Sequence, residues 1–204
     1  MRSLRVGMLL AALAASACGR EKGTDARDAE PPPGGSVRLS DGDVVMLVTQ
    51  VSTGEIAAAS AARGKLQNPE VRAYAERMLA EHGAMNDQMR SLPVKGDTVS
   101  RPPLQFALRQ AVSANEGALI STMPAGPAFD RTFIAMQVNG HSAALDSLRK
   151  WQRMVQTPAV RERIGGAIPT VEAHLSMARS IQSRLGPGTA TGPILPPPPD
   201  TAWY

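Results

Sequence analysis

The sequence contains three histidines, and each one falls on the apolar stripe of a different predicted helix, at His82, His141 and His174. Glu55 lies near the middle of another predicted helix, on or beside its inner face. Imidazole binds zinc, copper, iron and nickel, and facing helices of a bundle can bring such ligands together in its core. These four side chains are therefore candidates for one transition-metal site.

Methionines add a softer type of ligand beside two of the histidines. Met85 follows His82 by three residues, and Met177 follows His174 by the same spacing, so each pair shares one face of its helix. Thioether ligands favour copper(I). Methionine also fills gaps in alanine-rich cores without binding a metal, and this chain has ten of them. The candidate metal ligands are His82, His141, His174, Glu55, Met85 and Met177.

A buried polar layer is the other role that the same histidines could have. A neutral imidazole can be buried when it finds hydrogen-bond partners, and such a layer can fix the register of a bundle. The plausible partners in the sequence are Glu55, Asn86, Glu116 and Gln137. Gly83 and Gly140 are each adjacent to a histidine, and a close approach of neighbouring helices would explain both glycines.

The elements that must position these side chains are helical. Apolar residues recur at helical spacing in five segments, over residues 40–66, 69–89, 104–119, 129–155 and 158–185. Aromatic residues make up only 3% of the chain, which favours helices over strands. Four of the segments are long and joined by short connections, so the sequence predicts an all-α antiparallel four-helix bundle with one additional shorter helix over residues 38–185.

The N-terminus predicts export and lipidation. Residues 1–17 read as a lipoprotein signal peptide, with two arginines, an apolar run too short to span a bilayer, and small residues before Cys18. Cys18 is the only cysteine and resembles the acylated cysteine of a bacterial lipobox. An acyl anchor would hold the protein on the periplasmic side of a membrane. Gly19 after the cysteine favours the outer membrane by analogy, and a soluble periplasmic protein is the alternative.

The remaining terminal segments predict no fold of their own. Residues 18–37 are charged and rich in Pro and Gly, which is typical of a disordered tether, and residues 186–204 form a Pro-rich tail of the same kind. The formal charge is +4, and its positive residues are interspersed with acidic ones. Nucleic acid is therefore not an expected partner. The expected partners are the membrane, through the lipid, and a protein of the cell envelope.

Three segments together resemble the bacterial family called domain of unknown function 4142. They read NPEVRAYAERMLAEHGAMN (68–86), AFDRTFIAMQVNGHSAALD (128–146) and AIPTVEAHLSMA (167–178). The most specific piece is the Phe129–Asp130 pair followed by Gly140–His141. The resemblance covers nearly all of residues 38–185. It implies a ferritin-like four-helix bundle, exported and often lipid-anchored, and it implies no assigned activity.

The ferritin-like analogy raises the question of a redox or peroxide-handling enzyme, which the ligand pattern disfavours. Dinuclear carboxylate centres need a glutamate three residues before a histidine on two helices. The residues three before the histidines are Leu79, Val138 and Val171, and Glu81, next to His82, is predicted to point about 100° away. No nucleophile elbow, phosphate loop or H-E-x-x-H motif is present. The sequence favours a non-catalytic binding or structural role, with transition-metal binding as the alternative.

Overall fold

The computed structural model describes residues 39–94 and 104–186, which form five α-helices. These are α1 (Asp41–Ala62), α2 (Pro69–Arg90), α3 (Leu104–Thr122), α4 (Pro127–Met154) and α5 (Pro158–Leu185). No strand occurs within the two described ranges, and the all-α prediction is confirmed. α1 ends four residues before the predicted boundary at residue 66. The predicted signal peptide, Cys18, the tether and the Pro-rich tail beyond Gly186 lie outside the described residues.

Local capping signals explain where two of the helices begin. The Ser40 hydroxyl accepts a hydrogen bond from the Asp43 backbone N–H at 3.1 Å, and the Asp43 carboxylate accepts one from the Ser40 N–H at 2.8 Å. This reciprocal pair is a capping box. Asn68 caps α2 through the N–H of Glu70 at 2.8 Å, with Pro69 at the first helical position.

The start of α2 and that of α5 are also held by carboxylates from other helices. Asp130 in α4 accepts hydrogen bonds from the backbone N–H groups of residues 67–68, at 3.0 and 2.8 Å, just before α2 begins. Asp41 in α1 does the same for residues 156–157, at 2.9 and 2.6 Å, just before α5 begins. Each carboxylate satisfies donors that a helix start leaves unpaired, and each ties a loop to a distant helix.

Replacing Asp130 with alanine is expected to lower the free energy of unfolding by about 2–3 kcal/mol, because two backbone donors lose a charged acceptor. Asp130 is 2% exposed, so water cannot fully replace the carboxylate. Urea unfolding measures the loss. Asp146→Ala, at an exposed position of the same helix, is the matched control and should change little. Equal effects of the two substitutions would contradict this role of Asp130.

The long helices pack side by side in antiparallel pairs. Between α2 and α5, Arg184 near the end of α5 bonds to Glu70 near the start of α2, whereas Arg163 near the start of α5 bonds to Gln88 near the end of α2. Contacts between α1 and α2, and between α4 and α5, follow the same antiparallel order. The described part of the chain is thus held together by long helix–helix faces.

The shorter helix, α3, lies against α1 and contacts α4. The Lys65 ammonium, just beyond α1, donates to the backbone carbonyls of Ile120, Ser121 and Met123 at 2.7, 2.8 and 2.9 Å. These carbonyls belong to the last turn of α3 and the loop after it, where a cation is favoured by the helix dipole. Lys65 therefore fixes the end of α3 on the rest of the protein.

The buried apolar side chains form two clusters, and a polar layer lies between them along the helices. One cluster includes Met85 and Leu148, and the other includes Met78 and Phe133. His82 and His141 occur in the sequence where their helices pass from one cluster to the other, and His174 lies just before that change, since Leu175 belongs to the first cluster and Ala178 to the second. The buried polar residues at this level are Ser52, His82, Asn86, Gln137, His141 and His174. A core built of two apolar halves thus has a polar middle.

Among the described helices, α1 is long and apolar enough to cross a membrane by length and composition, with a mean hydropathy of 1.3 over an 18-residue window. Its apolar side chains contribute to both core clusters, through Val44 and Leu47 in one and Ala58 and Ala59 in the other. This helix packs against α2, α3 and α4. The core therefore accounts for the buried part of this window, which is 33% of it.

Candidate metal centre

The three histidines meet at one level between α2, α4 and α5. The ring centroids of His82 and His141 are 5.6 Å apart, those of His82 and His174 are 5.2 Å apart, and those of His141 and His174 are 5.3 Å apart. One ring nitrogen from each lies within 4.8 Å of the others. All three side chains are buried, with exposed fractions of 3%, 1% and 0%.

Hydrogen bonds fix which nitrogen of two of these rings carries the proton. His141 Nδ1 lies 2.9 Å from the backbone carbonyl oxygen of Gln137, which can only accept, so Nδ1–H donates and Nε2 is the nitrogen left for another partner. His174 Nε2 lies 2.6 Å from a carboxylate oxygen of Glu81, so Nε2–H donates and Nδ1 keeps the lone pair. This arrangement, with one nitrogen bonded to a carbonyl or carboxylate, is how metal-bound histidines are usually oriented.

The nitrogens left over have no partner among the described residues. His141 Nε2, His174 Nδ1 and both ring nitrogens of His82 are buried and make no hydrogen bond there. Buried polar atoms are rarely left unpaired, because each one loses its hydration without compensation. Four such atoms on three adjacent rings are the strongest sign that this layer is built to hold something.

The charge state of the rings also suits a cation. Desolvation lowers the pKa of His82 to about 4, against the attraction of Glu55 and with some help from the neighbouring histidines. Desolvation lowers the pKa of His174 as well, although its hydrogen bond to Glu81 opposes the shift. These two imidazoles are therefore neutral near pH 7, and only a neutral imidazole has the lone pair that coordinates a metal.

A small cavity adjoins the histidines on the side of α1. Its volume is about 20 Å³, and its walls include His82, His141, Glu55 and Met85. A cavity of this size holds about one water molecule. A small ion or its bound water would therefore find an oxygen and a sulfur atom across from the imidazoles.

Gln137 connects this cavity to the ring of His141. Its side-chain amide donates to Glu55 Oε2 at 2.9 Å, and its amide oxygen accepts a hydrogen bond from the Tyr74 hydroxyl at 3.3 Å. The same residue orients His141 through its backbone carbonyl. A Cβ atom at Gly140 would lie 3.2 Å from Glu55 Oε1, so this glycine leaves room for the carboxylate. Gln137 and Gly140 thus position the candidate ligands from two sides.

Other expectations from the sequence turn out differently. A Cβ atom at Gly83 would meet nothing within 4 Å, so close helix packing does not explain this glycine. Asn86 donates to Thr53 at 3.1 Å rather than to a histidine. Glu81 was predicted to point away from the core and instead reaches His174, because α5 runs beside α2 and receives side chains from its flank.

The two methionine candidates lie in different surroundings. Met85 is buried beside the cavity, and its sulfur accepts a hydrogen bond from the Ser52 hydroxyl at 3.4 Å. Met177 is half-buried and packs against the apolar cluster that contains Met78. Only Met85 is therefore placed beside the imidazoles and the carboxylate.

A charged group from α3 lies on the outer side of the cavity. Arg109 lines the cavity and donates to the Ser147 hydroxyl at 3.1 Å. Desolvation and repulsion from Glu55 raise the pKa of Glu116 to about 7, while Arg109 acts in the opposite direction. Glu116, expected as a histidine partner, therefore belongs with the charges of Glu55 and Arg109.

Replacing Glu81 with alanine is expected to weaken metal binding by about 10–100-fold, the usual effect of losing an outer partner of a histidine ligand. Glu81→Gln keeps an oxygen that can accept from His174 Nε2–H, so it should retain most of the affinity. Glu76→Ala, at an exposed position of the same helix, is the control. Metal titration of the three variants measures the effect. Equal affinities of the alanine variant and the control would contradict it.

The comparisons with known proteins give one result. The family model described as Domain of unknown function (DUF4142) matches residues 26–181, a range that includes Glu55 and all three histidines. No curated protein and no solved structure matches the chain significantly. The match spans more than half of the 204 residues and confirms the family resemblance that the three sequence segments indicated. The chain therefore belongs to the DUF4142 family.

Proposed function

We propose that the protein binds a single transition-metal ion through His82, His141 and His174. The observation that carries this proposal is a cluster of three buried histidines that offer one ring nitrogen each within 4.8 Å of one another, and on which four ring nitrogens have no hydrogen-bond partner among the described residues. Nitrogens that bind one ion at about 2.0–2.1 Å in tetrahedral geometry lie about 3.4 Å apart, so the rings need to close by roughly 1 Å.

The ligand set favours a divalent ion of borderline softness, such as zinc or copper(II). The His82 and His141 imidazoles line a cavity that also holds the Glu55 side chain, His174 lies against both rings, and imidazole with carboxylate suits these ions. Copper(I) is less favoured because neither thioether is free to bind it. The Met85 sulfur already accepts a hydrogen bond from Ser52, and Met177 packs in an apolar cluster. A dinuclear centre is disfavoured because it needs several bridging carboxylates.

The binding role is part of a broader proposal about the fold and the cellular address. We place the site in a ferritin-like antiparallel four-helix bundle of α1, α2, α4 and α5, with α3 as the additional helix. The protein is proposed to be lipid-anchored at Cys18 and to face the periplasm from the outer membrane. Metabolic palmitate labelling that is lost in Cys18→Ser supports the anchor, and unchanged labelling in that variant overturns it.

Metal analysis of the purified protein tests the proposed site. The metal-depleted chain is titrated with zinc, copper(II) and cobalt(II), and bound metal is counted after gel filtration. We expect one ion per chain and a rise in the melting temperature, because an ion that binds only the folded state at 1,000 times its Kd adds about 4 kcal/mol. Cobalt(II) should also give the visible spectrum of tetrahedral nitrogen ligation. A protein that stays metal-free with an unchanged melting temperature would remove the proposal.

A further inference from the structure

A groove between α2 and α5 leads from the protein surface toward the histidines. Its volume is about 440 Å³. Small side chains line much of it, among them Ala84 and Ala173, and both of these alanines are exposed. The groove also contains Pro169, which cannot donate to the carbonyl of Gly165 and so leaves that oxygen without its helical partner.

Met85 separates this groove from the cavity beside the histidines. Its side chain lines both spaces, whereas His82, His141 and Glu55 line only the inner one. Met85 is 7% exposed, packs in the apolar cluster that contains Leu148, and accepts one hydrogen bond from Ser52 at 3.4 Å. An unbranched thioether changes rotamer more readily than a branched or aromatic side chain. Met85 is therefore a movable partition between the groove and the cavity.

Glu81 links the same groove directly to one of the candidate ligands. One carboxylate oxygen bonds to His174 Nε2 at 2.6 Å, and the other bonds to Arg77 Nε at 2.7 Å. The Glu81 side chain is 31% exposed, while that of His174 is fully buried. A negative side chain in the groove wall thus contacts solvent at one end and the buried site at the other.

We infer that the α2–α5 groove is the port through which the metal ion reaches the three imidazoles, with Met85 as its gate. This inference rests on the proposed function. The ion arrives beside Glu81, passes Met85 as that side chain rotates, and is taken by the ring nitrogens of the three histidines. The port controls how fast the ion enters and leaves, and it does not set the affinity.

The charges of the groove make the inference more specific. Arg77 is paired with Glu81, so its repulsion of a cation is largely cancelled. Arg163 donates to the side-chain oxygen of Gln88 at 3.3 Å. This acceptor is a neutral amide, so the bond does not cancel the positive charge of Arg163. Removing the charge with Arg163→Gln is therefore expected to speed the association of a divalent cation, and the gain should shrink as salt is added.

Trp151 provides a signal for the experiment, because it is 2% exposed and lines the inner cavity. The second tryptophan, Trp203, is replaced with phenylalanine in every variant to remove its fluorescence. Copper(II) quenches tryptophan at short range, so stopped-flow fluorescence follows binding, and release is followed after adding a chelator. The full chain is used, and the melting temperature of each metal-free variant is checked first.

Ala84→Phe and Ala173→Phe fill the groove at exposed positions without disturbing the core. We expect each to slow both binding and release by about tenfold, which corresponds to about 1.4 kcal/mol of added barrier, with an unchanged Kd. Met85→Ala should speed both binding and release, and because Met85 lines the cavity as well as the groove, only the direction of these rates is used and no unchanged Kd is expected of this variant. The matched control is Ala73→Phe, an exposed position of α2 that does not line the groove. It should leave the rates as they are.

Three results would overturn the inference. Groove variants whose rates match those of the Ala73→Phe control would show that the ion does not pass this way. Faster exchange in Arg109→Gln, together with unaffected groove variants, would move the port to the α3 side of the cavity. Changed affinity with unchanged association would make these residues part of the site rather than its port. A protein whose unmodified form binds no copper would instead remove the proposed metal site itself.

Discussion

Replacing His82 with leucine is expected to stabilise the metal-free protein and, at the same time, to abolish its response to metal. Both ring nitrogens of His82 are buried without a hydrogen-bond partner among the described residues. An unsatisfied buried polar group costs about 1–3 kcal/mol, and an apolar side chain of similar volume removes that cost. We therefore expect the free energy of unfolding of the apo protein to rise by about 1–2 kcal/mol.

The same substitution removes one of three proposed ligands. The expected loss of affinity exceeds about 100-fold, which is the upper end of the effect of losing only an outer partner of a ligand. Stability and metal binding thus change in opposite directions. That combination distinguishes a site kept for binding from a polar layer kept for structure, in which the histidine would be stabilising.

His174→Leu is the matched comparison because it differs in one respect. His174 donates to Glu81 at 2.6 Å, and its removal leaves that carboxylate without one of its two partners. We expect the apo protein to lose stability in this variant, while metal binding is lost as in His82→Leu. Urea unfolding of both metal-free variants and zinc titration provide the measurements. A destabilised apo protein in His82→Leu would favour the structural layer over the metal site.

Much of the helical fold could be predicted because its signals are local. The capping box of Ser40 with Asp43, and Asn68 followed by Pro69, lie within a few residues of the helix starts that they define. The carboxylate caps were missed for the opposite reason. Asp130 accepts from an N–H group 62 residues away in the sequence, and nothing near Asp130 indicates that partner. A resemblance to a family marked Asp130 as specific, and the structure supplies the physical reason.

The candidate site was predictable in part. Helical periodicity predicted that the three histidines point inward. It carries no information about their positions along the axis of the packed helices, which depend on how the antiparallel helices align. Glu81 was missed because a projection along α2 alone places it off the core face. Its partner His174 belongs to α5, which packs on the flank of α2. A side chain beside the core stripe of one helix can thus lie on the contact face of another.

The polar layer also explains why the site lies at mid-height. Each of the histidine helices places apolar side chains above and below this level, for example Met78 before His82 and Met89 after it. Such packing excludes water from the rings and keeps those of His82 and His174 neutral. The apolar clusters therefore contribute to the chemistry of the site, since desolvation is the largest influence on the pKa of His82 and of His174.

Acidification provides the second large effect. The pKa of His82 falls from 6.5 to about 4 in the folded protein because of desolvation, aided by His141 and His174 and opposed by Glu55 and Glu81. Below about pH 6.5 the unfolded chain binds a proton that the folded protein does not. The titration of His82 therefore leaves the free energy of unfolding at its full value above pH 6.5 and lowers it as the pH falls toward 4. The shift corresponds to about 3 kcal/mol.

Other groups modify this acid transition in directions that can be stated. The pKa of His174 is also lowered, so this residue too makes the folded protein lose stability as the pH falls below 6.5. Partial burial acts to raise the pKa of Glu81, but its bonds to His174 and Arg77 bring the pKa below 4.5. Its contribution is therefore present above 4.5 and disappears only at lower pH.

Urea unfolding of the metal-free protein between about pH 7 and pH 4.5 measures the slope that His82 contributes. The unmodified protein should lose stability steeply over this range, and His82→Leu should show a shallower loss because its unfolded chain has one proton fewer to bind. The two curves are expected to diverge as the pH falls, with the leucine variant the more stable throughout. Parallel curves would mean that His82 titrates normally in the folded protein. The ring would then be hydrated, and the dry, neutral site on which metal binding depends would not exist.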